Sequence, residues 1–167
     1  MIALVSPSER YRDSYLEALP EFHSEGRNLE WNVDALREDF GQLLRRLAEI
    51  RQGIDMAPGE VGMTQLWLVD GDRYLGRVHI RPILTESLRK VGGNIGYQIR
   101  PSERRKGYGT LVLRLALVEA RKLGVERALI TCLNSNVWSR RIIEANGGVL
   151  DWDETEEELR FWIDNKV

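Results

Sequence analysis

A short segment that joins cations to glycines is the part of this sequence best suited to binding a ligand. A strand predicted over Ile95 to Arg100 leads into a turn at Pro101 and Ser102, and the segment follows at once. It contains Arg104, Arg105, Lys106, Gly107 and Gly109. A helix predicted from Thr110 places its N-terminus, worth about half a positive charge, directly behind the glycines. Because glycines let backbone N–H groups turn toward a ligand, this cation–glycine segment (residues 104 to 110) predicts an anion site suited to a diphosphate.

The cation–glycine segment has three other interpretations. A Gly-x-Gly sequence at a strand–helix junction is often only a tight turn. Positive charge at a helix N-terminus, however, costs from a few tenths to about 1 kcal/mol, and a bound anion would remove that cost. A P-loop requires Lys and then Ser or Thr after its last glycine, whereas Gly109 is followed directly by Thr110. The dinucleotide fingerprint requires a third Gly or Ala where this chain has Val112, which disfavours a dinucleotide-dependent oxidoreductase.

The pattern Arg/Gln-x-x-Gly-x-Gly/Ala does fit residues 104 to 109, which read RRKGYG. This sequence resembles the acetyl-CoA loop of the GNAT-type N-acetyltransferase superfamily. Its context is similar as well, with Tyr97-x-Ile99-x-Pro101 before the loop and Asn136-x-x-Ser139 after the next strand. The similarity covers roughly Leu66 to Leu150.

The resemblance implies an acetyl-CoA-dependent enzyme that transfers acetyl directly to a primary amine of an unidentified acceptor, a small molecule or a protein. It implies that acetyl-CoA is bound by Ile99, Arg104, Arg105, Lys106, Gly107, Tyr108, Gly109, Thr110, Asn136 and Ser139. The helix that begins after Asn136 would hold the pantetheine arm. Asn136 would in any case serve as an ordinary helix N-cap.

The proton-transfer positions depart from the family pattern. Many relatives have a tyrosine acid seven residues after the capping asparagine, where this chain has Ile143, and a glutamate base where it has Asn94. His79 and Tyr97 are the replacement candidates, although an ordinary strand histidine and a core aromatic residue are competing interpretations. An acyl-CoA-binding protein without transferase activity therefore stays open as an alternative.

Composition limits the remaining classes. The chain has 167 residues, 43% of them hydrophobic, which predicts one domain over residues 1–167 with a sizeable core. A net charge of −2 disfavours a nucleic-acid partner. The single cysteine, Cys132, excludes an internal disulfide, and only two histidines are present, so we expect no metal site. With no apolar run of membrane-spanning length and an N-terminus charged too early for a signal peptide, we expect a cytoplasmic protein without a membrane partner, as a monomer or homodimer.

The sequence pattern predicts an α/β (α+β) fold with a mixed, mostly antiparallel sheet of six to seven strands and helices on both faces. The predicted strands are Ile2–Val5, Gln65–Val69, Tyr74–Arg81, Ile95–Arg100, Val125–Leu133, Val149–Asp153 and Leu159–Ile163, the last two joined by an acidic turn at Glu154–Glu158. The predicted helices run from a capping box at Ser6–Glu9 to about His23, from Asn32 to Gly53, from Thr110 to Leu123 and from Asn136 to Ala145.

Two connections are candidates for the acceptor side of the site. Ile54–Met63 is rich in glycine, and Pro82–Gly93 is long for a hairpin connection. Binding residues are common on such loops beside a rigid scaffold. We therefore expect these loops to border the face that the amine approaches.

Overall fold

The computed structural model describes residues 1–151 and 157–166. The strands are β1 (Ile2–Val5), β2 (Thr64–Asp70), β3 (Arg73–Ile80), β4 (Ile95–Ile99), β5 (Arg127–Leu133), β6 (Val149–Leu150) and β7 (Glu158–Asp164). The helices are α1 (Arg12–His23), α2 (Val33–Glu38), α3 (Gly41–Gln52), α4 (Glu86–Lys90), α5 (Tyr108–Lys122) and α6 (Val137–Ala145). Within these residues, none of the helices is both long and apolar enough to cross a bilayer.

The strands form two antiparallel sheets. One has the order β1-β2-β3-β4 and the other the order β5-β7-β6. The α/β class and the mostly antiparallel pairing predicted from the sequence are confirmed, whereas the division into two sheets was not predicted. The sheets are joined at the start of β4, where the Asn94 N–H donates to the Leu129 carbonyl at 2.7 Å. Beyond this point β4 and β5 separate, and a cleft opens between them.

Each face of the four-stranded sheet has its own hydrophobic core, because side chains alternate along the strands. On one face Leu68 and Val78 pack beneath α5. On the other face Trp67 packs with aromatic residues of the N-terminal helices, including Tyr15, whose ring stacks on the indole with centroids 4.8 Å apart. The helices therefore cover both faces, as predicted.

Several predicted element boundaries are confirmed and two are wrong. Asn32 caps α2 by accepting the Ala35 N–H at 2.9 Å, and Gly53 ends α3 in the left-handed conformation, with φ of 72°. The capping box at Ser6–Glu9 does not start a helix; a 3-10 turn begins at Glu9, and α1 begins only at Arg12. The single helix predicted up to Gly53 is broken at Asp39, whose backbone is not helical (φ −142°, ψ 88°) and whose carboxylate binds Arg45 at 2.6 Å.

One further difference concerns a connection. Pro82–Gly93 is not an irregular loop, because Thr85 caps the short helix α4 by accepting the Leu88 N–H at 3.2 Å. The predicted final hairpin is present as the antiparallel pair β6 and β7. Most of the acidic turn predicted between them, with Trp152 and Asp153, lies outside the described residues.

Candidate active site

The cation–glycine segment lies between the end of β4 and the N-terminus of α5, as predicted. Arg105 and Gly107 both have left-handed backbone, with φ of 61° and 84°, so the chain turns sharply before α5 begins at Tyr108. Within the described part of the chain, the backbone N–H groups of residues 105 to 110 have no hydrogen-bond acceptor. A run of uncommitted donors at a helix N-terminus is the arrangement that binds phosphate groups.

The three cations of the segment differ in what they bind. The Arg104 guanidinium makes two bonds of 2.7 Å to the Glu25 carboxylate, and its Nε donates to the Ile99 carbonyl at 3.2 Å. Lys106 Nζ lies 2.9 Å from Glu103 Oε2. Among the residues that the structure describes, Arg105 has no ion-pair partner, and it is exposed. The sequence predicted three cations available to an anion, whereas two of them already hold carboxylates.

These carboxylates fix the segment to the rest of the fold. The Glu103 side chain is only 2% exposed and binds both Lys106 and Arg73. On α1, Glu21 accepts Arg100 Nε at 2.7 Å and the Ser102 N–H at 2.9 Å. Burial alone would raise the pKa of Glu21, but these hydrogen bonds outweigh it and the pKa is lowered. The Arg104 hydrogen bonds likewise lower the pKa of Glu25.

The sequence did not predict this role of α1 and of Glu25, which follows it. Glu25 and Arg104 are 79 residues apart in sequence. No local pattern links residues at such a separation, so only the packing of α1 beside the turn could reveal the pair.

The second glycine of the segment has a packing role. A Cβ atom on Gly109 would lie 2.5 Å from Ile142 Cδ1, so the absence of a side chain lets α6 pack closely against the start of α5. The N-terminus of α6 is capped as predicted, with Asn136 Oδ1 accepting the Ser139 N–H at 3.0 Å. Ile99, another predicted acetyl-CoA contact, is buried in the core.

A cleft of about 250 Å³ separates β4 from β5. Its lining includes Arg81, Gly96, Tyr97, Cys132, Asn136 and Ser139. The Tyr97 hydroxyl lies 2.8 Å from Ser139 Oγ. Burial raises the pKa of Tyr97 to about 12, and the hydrogen bond with Ser139 opposes this shift only in part. The structure therefore brings together three of the predicted site residues, Tyr97, Asn136 and Ser139.

His79 lies on the opposite face of the sheet from Tyr97. Tyr97 pairs with Val78 and His79 with Gly96, so strand alternation directs the two side chains apart. His79 lines a separate pocket of about 320 Å³, which Trp31 and Met63 also line. The two catalytic candidates therefore do not converge on one point.

The protonation of His79 follows from its contacts. Gln65 Oε1 lies 2.8 Å from His79 Nε2 and 3.4 Å from Arg77 Nη1. Because a guanidinium can only donate, the amide oxygen faces both groups, and His79 Nε2 carries the ring proton while Nδ1 holds the lone pair. Burial, followed by the charges of Arg77 and Arg81, lowers the pKa of His79 well below its usual range. The imidazole is therefore neutral at pH 7.

The two positions that depart from the family pattern have structural roles. Asn94 is 2% exposed; its Nδ2 donates to the Arg81 carbonyl at 2.9 Å, and its Oδ1 accepts the Leu129 N–H at 2.8 Å. Ile143 is fully buried in the core beneath α5. Cys132 is also buried, and burial raises the pKa of its thiol, in agreement with a packing role. In the described ranges, no group of His, Cys, Asp and Glu side chains has the arrangement of a metal site.

In the part of the chain that the structure describes, a sheet covered by helices on both faces thus places N–H groups without an acceptor at the N-terminus of α5 and opens a cleft between β4 and β5. Residues 11–149 match the family model described as an acetyltransferase (GNAT) domain, and the chain belongs to this family. A search of curated protein sequences finds no significant match.

Solved structures agree with this assignment at the level of the fold. The Microcin C7 self-immunity acetyltransferase MccE, in complex with acetyl-CoA and AMP, has 15% sequence identity and a TM-score of 0.66, over 98% of this chain and 92% of that one. Mycobacterium smegmatis RimJ, in complex with CoA-disulfide, has 17% identity and a TM-score of 0.66, over 98% and 81%. Campylobacter jejuni N-acetyltransferase PseH, in complex with acetyl coenzyme A, has 16% identity and a TM-score of 0.61, over 98% and 99%.

Proposed function

We propose that this protein is an acetyl-CoA-dependent N-acetyltransferase that transfers acetyl directly to a primary amine. The observation that carries the proposal is the run of uncommitted N–H groups from residue 105 to residue 110, at the N-terminus of α5. These donors suit the diphosphate of CoA, as does Arg105, which has no ion-pair partner in the described ranges. The complexes of the similar proteins with acetyl-CoA or CoA support the same ligand.

The β4–β5 cleft is the proposed position of the thioester. Asn136 and Ser139, at the start of α6, would hold the pantetheine arm, and the Tyr97 hydroxyl is the polar group proposed to meet the sulfur. A thiol has a pKa of about 8.5. Since the pKa of Tyr97 is raised to about 12, full proton transfer to the departing thiolate would be uphill by about 5 kcal/mol. Tyr97 is therefore proposed to stabilise the thiolate by donating a hydrogen bond, without giving up its proton.

His79 is the weaker of the two catalytic proposals. A neutral imidazole with a lowered pKa is too weak a base to deprotonate a lysine-like ammonium, whose pKa is about 10.4. It could accept a proton only once the new N–C bond has made the amine nitrogen acidic. The acceptor must therefore reach the cleft as the neutral amine.

Two glycines provide a matched test of the donor site. Gly107 and Gly124 have φ of 84° and 87°, and a Cβ atom on either would meet nothing within 4 Å. Each substitution by alanine would cost about 1 to 2 kcal/mol of stability from the left-handed conformation. Only Gly107→Ala should also weaken acetyl-CoA binding, by more than tenfold in calorimetry, because it disturbs the N–H groups. Equal affinities in the two variants would refute the donor site.

Transfer itself is tested by release of free CoA with a panel of primary amines. Amine-dependent release supports the transferase. Tight acetyl-CoA binding without release of CoA for any amine would favour the alternative, an acyl-CoA-binding protein. The structural roles of Asn94 and Ile143, which occupy the family's usual base and acid positions, are the reason for this alternative.

A further inference from the structure

Three basic residues occupy alternating positions at the end of β3 and one residue beyond it, where the Arg81 N–H still donates to the Asn94 carbonyl at 2.7 Å, so their side chains share one face of the sheet. They are Arg77, His79 and Arg81. Within residues 1–151 and 157–166, no carboxylate forms an ion pair with any of them. Arg77 instead donates to the neutral amide oxygens of Gln98 at 3.2 Å and Asn28 at 2.9 Å. The row therefore carries positive charge that the described part of the fold does not neutralise.

Arg81 is the member of the row that lines the β4–β5 cleft. Its Nη1 atom is buried and has no hydrogen-bond partner in the described residues. This nitrogen lies 3.8 Å from the position that a Cβ atom of Gly96 would take, so the missing side chain at Gly96 leaves room beside the guanidinium. A buried guanidinium donor without a partner is costly, and burial accordingly lowers the pKa of Arg81. An anion in the cleft would remove this cost once a rotation of the Arg81 side chain brings this nitrogen to the cleft surface.

The neighbouring pocket adds further donors of the same kind. Gln65 is buried, and its Nε2 atom has no acceptor among the described residues. Arg77 and His79 line the same pocket, while the single carboxylate that lines it, Glu30, is on an exposed residue. Arg46, also in the lining, is already held by Glu49 at 3.2 Å. Hydrogen-bond donors therefore predominate on both sides of His79.

We infer that the amine acceptor carries an acidic group, a carboxylate or a phosphate, which Arg81 binds close to the amine with Arg77 adding to the positive field. This inference rests on the proposed transferase function, because it assigns the β4–β5 cleft to the reaction. Arg81 lines the cleft itself, so the acidic group and the amine must be separated by only a few bonds. The acceptor is thus a small amino acid or an amino phosphate rather than a simple alkylamine. A guanidinium suits both groups, since it forms paired bonds to either.

Matched acceptors test this inference. β-Alanine and β-alaninamide differ only in the carboxylate, and O-phosphoethanolamine and ethanolamine differ only in the phosphate. We expect kcat/KM of the acidic member to exceed that of its neutral partner at least tenfold in one pair, and that pair identifies the group. Arg81→Gln should reduce the ratio to near one, and Arg81→Lys should restore part of it. Arg121→Gln, which removes an exposed cation in the last turn of α5, is the control and should leave the ratio unchanged.

The same variants separate this inference from the proposed function. Equal rates for acidic and neutral members overturn it, and so does an Arg81→Gln variant that loses acetyl-CoA affinity, because Arg81 would then contact the donor. If no amine is acetylated, calorimetry with CoA-loaded protein decides. Tighter binding of an acidic member, lost in Arg81→Gln, supports the acidic-group site even though the transferase proposal fails. Absence of binding by both acidic members at millimolar concentration overturns the inference.

Discussion

Replacing Asn94 by alanine should both destabilise the protein and disturb the cleft. This buried amide joins the two sheets at the point where β4 and β5 begin to separate. Its side chain makes two hydrogen bonds, at 2.9 Å to the Arg81 carbonyl and at 2.8 Å from the Leu129 N–H. The variant loses both bonds and leaves two backbone groups without their partners. The width of the cleft then depends on the remaining backbone bond between Asn94 and Leu129.

The magnitude follows from these two bonds. Each contributes about 1 kcal/mol net, and a buried polar group left unsatisfied costs about 1 to 3 kcal/mol. Because Asn94 is only 2% exposed, water relieves little of this cost, and we expect a loss of about 2 to 4 kcal/mol in the free energy of unfolding. For a domain of this size, that loss corresponds to a fall in Tm of roughly 4 to 16 °C.

Denaturant unfolding and acetyl-CoA calorimetry together form the assay, with Asn165→Ala as the control. Asn165 also donates two hydrogen bonds, to the carbonyls of Leu117 at 2.7 Å and Val125 at 2.9 Å, and it does not line the cleft. Both variants should lose stability, but only Asn94→Ala should also weaken acetyl-CoA binding in calorimetry. A change below about 0.5 kcal/mol for Asn94→Ala, which is typical of surface positions, would refute the reasoning.

The Asn94→Asp variant tests the same two hydrogen bonds by placing a titratable carboxyl group in this position. An aspartate keeps the acceptor for the Leu129 N–H but, once ionised, has no donor for the Arg81 carbonyl. Its folded-state pKa should therefore rise above the unfolded value of about 3.9. When the pKa of a group is higher in the folded state, its contribution to the free energy of unfolding is fully present below the unfolded-state pKa. This contribution is lost as the pH rises from there through the folded-state pKa. Relative to the wild type, the variant should be nearly unaffected near pH 4 and lose up to about 1.4 kcal/mol per pH unit above it. A difference independent of pH would contradict this.

Two further predictions concern Ile143 and His79. Ile143→Ala should lower the free energy of unfolding by about 2 to 5 kcal/mol because the side chain is fully buried, while the alkaline limb of the kcat profile stays where it is; a shifted limb would oppose this. His79 has a lowered pKa in the folded state, so only the unfolded state gains its proton below about pH 6.5. The free energy of unfolding should therefore fall with acidification, by up to about 1.4 kcal/mol per pH unit from this group. It should fall less steeply in the His79→Gln variant, and parallel curves of stability against pH for the two proteins would contradict the lowered pKa of His79.

Local features of the chain could be predicted from the sequence because their causes lie within a few residues. The order of strand, turn, glycines and helix predicted the cation–glycine segment, and Gly107 has the left-handed backbone that such a turn requires. The Asn136 cap depends only on the N–H group three residues later, and it was predicted for that reason. The GNAT family followed from the same local patterns and was confirmed by the family match.

Which side chains of the candidate site are available to a ligand was decided by the tertiary structure alone. The pairing of Arg104 with Glu25 and the link from Asn94 to Leu129 join residues 79 and 35 positions apart, and no periodicity in the sequence specifies such contacts. The separation of Tyr97 from His79 depends on strand register, since a slip of one residue between β3 and β4 would place both side chains on the same face of the sheet. Helix and strand signals arise between near neighbours, whereas charge pairing and register depend on how distant elements pack. In the residues that the structure describes, this packing leaves Arg105 and Arg81 without a carboxylate partner.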